Sequence, residues 1–379
     1  MQQRRSANSH RHPASGPRTT RPEDGRRANL SLVLQSLYDE PHQSRADLAR
    51  RTGLTRVTIS DLVAELMADA LVAETGTNAG ARPGKPATML SVRDDTRDLI
   101  ALDLSAPQTI TGGVYSLRGD LRQSASRDLA AAIGEDAYAA VLDLARELIG
   151  RAEHPVLGIG VGTPGTVDRH GSVIAAPNLD WHNLPLQHRL SAELGLPVHV
   201  ENDANVAVLA ERAFADGPDN LIRIQISRGV GAGLLIAGSV VTGTSAAAGE
   251  IGHVVIEDEG AACPCGKQGC LETWLSVPSL RSRIAAGPQP AADVLAEAGR
   301  RLGIALSPIV GMLDLTDIVL GGPTDLVDGP LLAAAQAVVT GRTHADFRGK
   351  VRLRLSSLGT NAVLLGAVAL VRRIQLGVS

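Results

Sequence analysis

From Asp98 onward the chain repeats one pattern, and that pattern constrains its fold more than any other feature. Short β-rich runs, "LIALDLS", "TGGVYSL", "VLGIGVGTPG", "PVHVEND", "LIRIQIS", "GAGLLIAG" and "DIVLGG", often end in Gly or Asp. Helical stretches at 136–152, 204–215, 290–312 and 330–341 fall between them. Apolar strands alternating with helices specify an α/β body. About 280 residues are more than one hydrophobic core fills, so two lobes with a cleft between them are expected. Aromatic residues make up only 2% of the chain against 44% hydrophobic residues overall, so the core must be built from Ala, Val, Leu and Ile. No apolar run approaches the ~20 residues that span a bilayer. The opening residues also lack the apolar core of a secretory signal, which makes the cytoplasm the expected location, with no membrane partner.

The first part of the chain differs in charge. Residues 1–93 carry 14 Lys/Arg and 9 Asp/Glu, a balance of +5, whereas the remaining 23 and 31 balance at −8. A basic module on an acidic body suggests an anionic partner, nucleic acid first. The alternative is that seven of those arginines merely solvate a disordered tail, since residues 1–27 offer almost nothing to bury. From Ala28 helical spacing begins, with Leu30, Val33, Leu34 and Leu37 on one face. Ser44 stands as an N-cap before "RADLARRTG", which Gly53 can end in a left-handed conformation. Thr55 can cap a third helix whose Val57, Ile59, Leu62, Val63, Leu66 and Met67 form an inward stripe. Two strands, Leu71–Thr75 and Ala87–Val92, follow around a Gly/Pro/Arg-rich loop. Helix, tight turn, helix and hairpin together predict a winged helix-turn-helix (α+β) over 28–93, binding double-stranded DNA. Thr55, Arg56, Thr58 and Ser60 are its candidate major-groove residues, and Arg82 and Lys85 its candidate wing contacts. A small helical protein-interaction module would share the periodicity but not the wing or the charge.

All three cysteines of the chain, Cys263, Cys265 and Cys270, lie within eight positions, and His253 precedes them by ten. Without export, clustered thiols read as metal ligands. Three soft sulfurs and one imidazole favour Zn²⁺ in a closed tetrahedron, one ion per chain and structural. Gly266 and Gly269 let the loop fold back so that the sulfurs converge. The alternative of three inert buried cysteines requires chance clustering.

"VENDANVAVLAE" sets Asn202 and Asp203 between a strand and a helix, where open α/β sheets bind ligands. A carboxylate there can serve a substrate hydroxyl, or Asp203 can simply cap the helix. "GVGTPGTVD" and "SRGVGAG" are glycine turns of the kind that expose backbone N–H groups, although tight turns alone explain such glycines. In order along the chain, "GVGTPGTVD", "APNLDW", "ENDANVAVLAE", "SRGVGAGLL", "AAGEIGH" and "CPCGKQGCLE" make residues from about 97 to 379 resemble the ROK family of repressors and sugar kinases.

The resemblance implies an actin-like, two-lobed ATPase (ribonuclease H-like) fold. Its small lobe would run from about 97 to 213 with a C-terminal helix at 360–379, and its large lobe from about 214 to 359 with the zinc loop 253–270. It implies sugar contacts at Asn202, Asp203, Glu250, His253 and Glu272, joined by Asn178 and the Gly162–Gly165 turn. His253 would hold zinc through one ring nitrogen and address the sugar through the other. The DNA-binding module resembles that of the family's repressor branch. The family's kinases open their first lobe with an Asp-x-Gly-Gly-Thr phosphate loop, but this chain has Ser105, Ala106 and Pro107 after Asp103. Side chains then stand where the backbone must approach phosphate, and proline removes a donor. The expectation is a sugar-responsive repressor of carbohydrate uptake or metabolism genes, a homodimer or homotetramer without useful kinase activity. The alternative is a glucokinase-like sugar kinase with an appended module, for which Asp203 would be the catalytic base.

Overall fold

Ser44 ends a strand and starts a helix in a single step. Its hydroxyl accepts the Asp47 backbone N–H (3.2 Å) while the Asp47 carboxylate accepts the Ser44 backbone N–H (3.0 Å), a reciprocal cap. This computed structural model describes residues 22–78, 87–343 and 351–378, with side chains over 25–76, 87–343 and 351–378. Contacts divide the chain between Val92 and Arg93 into two compact units. In the first, α1 (Pro22–Asp39), β1 (Gln43–Ser44), α2 (Arg45–Thr52) and α3 (Arg56–Ala68) precede β2 (Val72–Asn78) and β3 (Ala87–Val92). The strands form one antiparallel sheet in the order β1-β3-β2. Gly53 ends α2 at φ 73°, and Thr55 caps α3 through the Thr58 N–H. Val33, Leu37, Leu48, Ile59, Val63 and Leu90 are fully buried and close the core.

Two expectations for this unit need correction. The tail expected over 1–27 is helical from Pro22. Proline's fixed φ suits a first helical turn, and Arg26 is held by Glu65 of α3 (2.9 Å). Residues 1–21 lie outside the described residues, as do the wing residues Arg82 and Lys85. The inward stripe of α3 is also narrower than expected. Ile59, Leu62, Val63 and Leu66 are buried, but Val57 is 72% and Met67 36% exposed. Val57 stands two residues before Ile59, about 200° round a 3.6-residue helix from it, so both cannot face the core.

The second unit holds two five-stranded sheets among the described residues. The first half of the unit supplies β4 (Asp98–Asp103), β5 (Thr109–Tyr115), β6 (Leu121–Asp128), α4 (Gly134–Arg151) and β7 (Val156–Thr163). A small side sheet follows, β8 (Thr166–Val167), β9 (Val173–Ala176) and β10 (Trp181–Leu184), then α5 (Leu186–Leu194), β11 (Val198–Asn202) and α6 (Asp203–Phe214). The second half supplies β12 (Leu221–Ile226), β13 (Val230–Ile236), β14 (Ser239–Val240), α7 (Glu272–Leu275), α8 (Val277–Ala286) and α9 (Ala291–Leu313). It ends with β15 (Asp317–Gly321), α10 (Thr324–Val327), α11 (Pro330–Arg342), β16 (Arg352–Leu355) and α12 (Ala362–Leu376).

The two sheets run β6-β5-β4-β7-β11 and β14-β13-β12-β15-β16. Each has an antiparallel three-strand meander whose first strand continues into parallel neighbours. The same order, third-second-first-fourth-fifth, therefore occurs twice, although no repeat is visible in the sequence. Each sheet has its own apolar core, Ile100, Val161 and Leu148 in one, Ile224, Leu306 and Ile318 in the other. Among the described residues no helix is long and apolar enough to cross a membrane.

Helices α12 and α6 lie between the lobes, and glycines set their spacing. A Cβ on Gly160 of β7 would sit 2.2 Å from the Ala367 carbonyl of α12. One on Gly366 of α12 would sit 1.9 Å from the Val206 carbonyl of α6, and one on Gly233 of β13 2.2 Å from the Ala204 carbonyl. Sheet, helix, helix and sheet thus meet backbone against backbone. At the far end of α6 the fully buried Glu211 accepts Arg223 Nε (3.2 Å) and the Ser356 hydroxyl, and it faces Arg354 at 3.3 Å. A buried carboxylate persists only with such partners.

Candidate functional site

The start of α6 assigns separate work to two adjacent side chains. Asn202, not Asp203, is the N-cap: its Oδ1 accepts the N–H groups of Ala204 (2.9 Å) and Asn205 (3.1 Å). Its Nδ2 donates to the Gly165 carbonyl (2.8 Å), tying the turn after β7 to the helix. Asp203, the first helical residue, is left to face a cleft lined by Gly165, Asn202, Gly231, Ala246, Gly249 and Glu250. Burial, and then the charge of Asp103, push the Asp203 carboxyl up to about 7. Asp103 ends β4 and is itself raised by burial, while its carboxylate accepts the Ser105 N–H (2.8 Å). The influence of the Asp103 charge on Asp203 is a site feature that the motifs alone did not reveal. Asp103 ends β4 and Asp203 directly follows the end of β11, a parallel strand of the same sheet, and that position was the available clue.

The remaining candidate sugar residues are divided. Glu272 opens α7, and its carboxylate accepts the Val230 N–H of β13 (3.0 Å), one residue from cleft-lining Gly231. Glu250 lies on the cleft wall, and its Oε2 is 3.9 Å from His253 Nε2. Asn178 stands exposed on the 3-10 turn Pro177–Leu179 and is not among the lining residues. Gly162 is a packing position, because a Cβ there would lie 2.4 Å from Val363 Cγ1 and 2.9 Å from Val206 Cγ2. The cleft encloses about 50 Å³. Ligand pockets usually exceed ~300 Å³, so the cleft is narrow.

His253, Cys263, Cys265 and Cys270 converge, with all ligand atoms within 4.8 Å of one another. Cys265 Sγ is 3.7 Å from Cys270 Sγ, and Cys263 Sγ is 3.6 Å from His253 Nδ1. Those spacings are far too long for a disulfide and match the ~3.8 Å edge of a tetrahedron with ~2.3 Å metal–sulfur bonds. Gly266 and Gly269 turn the loop at φ 90° and 69°, and Gly269 passes so close to the Glu257 carbonyl that a Cβ would lie 1.7 Å from it. Burial pushes the Cys270 thiol up to about 12 and raises Cys263, whereas the Lys267 backbone N–H lowers Cys265. The donor set fits a soft divalent ion and could hold one. With Nδ1 towards the sulfurs and Nε2 towards Glu250, the ring of His253 joins this cluster to the cleft wall. Beyond it, Trp274 donates to Glu257 (2.9 Å) and is sandwiched by Arg283 and Arg301, each 3.5 Å from the ring centroid.

In the first unit, the hydroxyls of Thr55 and Thr58 are 2.9 Å apart, and Ser60 donates to the Arg56 carbonyl (2.9 Å). The Arg56 guanidinium is exposed and has no partner among the described residues. Arg26, Arg45, Arg50 and Arg51 instead pair with Glu65, Glu74, Asp47 and Glu40.

The ROK family profile matches residues 110–374. A putative xylose repressor from Caldicellulosiruptor sp. (strain Rt8B.4) is 28% identical across 90% of this chain and 95% of its own length. The crystal structure of a ROK family transcriptional regulator, a homolog of the E. coli MLC protein, superposes with a TM-score of 0.82 at 24% identity, covering 93% of this chain and 97% of that one. A ROK family glucokinase from Streptomyces griseus, solved with glucose and AMPPNP, gives 0.64 at 26% identity and covers 73% of this chain but 99% of its own. These likenesses identify the second unit as the two-lobed, actin-like fold of sugar kinases.

Proposed function

This chain belongs to the ROK family, and from that premise we propose that it is a sugar-responsive transcriptional repressor that binds operator DNA through residues 28–93. The observation that carries this reading is coverage. The xylose repressor matches through both units, whereas the glucokinase structure is accounted for by about the second unit alone. The first unit supports a winged helix-turn-helix by its order: a capped α2, a left-handed turn at Gly53, a capped α3 and a β2–β3 hairpin. Two such modules on a symmetric homodimer, or two pairs on a tetramer, would read a pseudo-palindromic operator. A sugar of the cleft would act by preferring one of the DNA-competent and DNA-incompetent states.

Asp203, Asn202, Glu250, His253 and Glu272 would recognise the sugar's hydroxyls. Zinc would fill the His253–Cys263–Cys265–Cys270 set as a closed structural site, stiffening the loop that carries Glu250 and Glu272. Kinase chemistry has little support. Phosphoryl transfer rests on positioned donors around the phosphates, yet here Asp103 occupies the Ser105 N–H and Pro107 has none. Two observations favour the kinase reading: the likeness of the second unit to a ROK family glucokinase, and Asp203, whose carboxyl burial raises to about 7.

Footprinting the promoter region beside its own gene, with and without xylose and other sugars, tests the repressor. Protection that a sugar abolishes supports the proposal, and no sequence-specific protection under any condition rejects it. A coupled ADP-release assay over hexoses and pentoses tests the kinase. Turnover abolished by Asp203→Asn would make the chain an enzyme.

A further inference from the structure

Resting on the reading of α2 and α3 as the DNA-contacting pair, we infer that Val57 reads the 5-methyl group of a thymine in the operator's major groove. Val57 is 72% exposed, although the unit buries Val33, Leu37, Ile59 and Val63 completely. It is the second residue of α3, and the first residues of a recognition helix are the ones that reach base edges. The polar neighbours are already engaged, Thr55 with Thr58 and Ser60 with its own helix. The thymine methyl is the apolar group that base edges present in that groove, and an aliphatic side chain is its natural contact.

Charge points to the same surface. Arg56, adjacent to Val57, has no carboxylate among the described residues, while Arg26, Arg45, Arg50 and Arg51 each have one. A cation with no carboxylate partner among the described residues therefore stands beside the exposed isopropyl group. Farther along the outward face, Ser60 and Ala64 are small and exposed, flanking the exposed carboxylate of Asp61.

The test uses the full chain on its footprinted operator, with each protected thymine replaced singly by uracil, a change that removes only the methyl. Wild type should lose about fourfold in affinity at one thymine of each half-site, the worth of one buried carbon. Val57→Ala, which alters the module on both half-sites, should bind the thymine operator about sixteenfold more weakly and ignore the same replacement. Val57→Thr, which keeps one methyl, should retain part of the discrimination. Equal binding of wild type to all uracil operators, or unchanged discrimination in Val57→Ala, overturns the assignment while leaving the repressor reading intact. Absence of any sequence-specific footprint overturns both together.

Discussion

Asp203 contributes a titration of its own to the pH response of the second unit. Its carboxyl titrates at about 7 in the folded chain and at about 4 when unfolded. Between those values the native state keeps a proton that the unfolded state has lost, so stability falls as pH rises from about 4 to about 7. Asp203→Asn removes the titration. The variant should melt above wild type at pH 8, by the order of 1–3 kcal/mol, with the gap closing towards pH 4. Thermal melts of both proteins across that range check the difference, and a gap that does not widen as pH rises would contradict it. Sequence alone did not divide the roles of Asn202 and Asp203, since both residue types cap helices well and the choice depends on where β11 ends. Val57 was illegible for a related reason: an apolar residue beside a buried stripe reads as core until the helix phase is fixed.

Capped elements were the easiest to read, because a cap is written in residues close together in sequence. Ser44, Gly53 and Thr55 all stand where their chemistry predicts. Ser44→Ala should cost the first unit about 1 kcal/mol, seen as faster amide exchange along α2. Strand β6 (Leu121–Asp128) escaped notice because its polar sequence has no apolar alternation, and an edge strand paired only to β5 needs none. Metal content tests the loop. Wild type should hold about one zinc per chain, and Cys265→Ser should lose it and lower the second unit's thermal transition, as a chelator should in wild type. The α2 exchange rates should not respond to either treatment.

At the scale of the whole molecule, two lobes were legible from length and alternation, but their identical strand order was not, because order in a sheet is a property of space. The glycines of the lobe junction were equally silent: Gly160, Gly233 and Gly366 look like any others until their neighbours are known. Gly366→Ala should be among the most damaging substitutions, costing about 3 kcal/mol or preventing folding, since its methyl has only the Val206 carbonyl to displace. A melt at or near wild-type temperature would show that the junction yields. At its glycines this joint sets backbone directly on backbone, where no rotamer change can give way, although Val206, Leu209, Ala369 and Leu370 pack around those points. A displacement of Asp203 would therefore press α6 on α12, and α12 on β7, at rigid points of contact, as gears meet tooth to tooth.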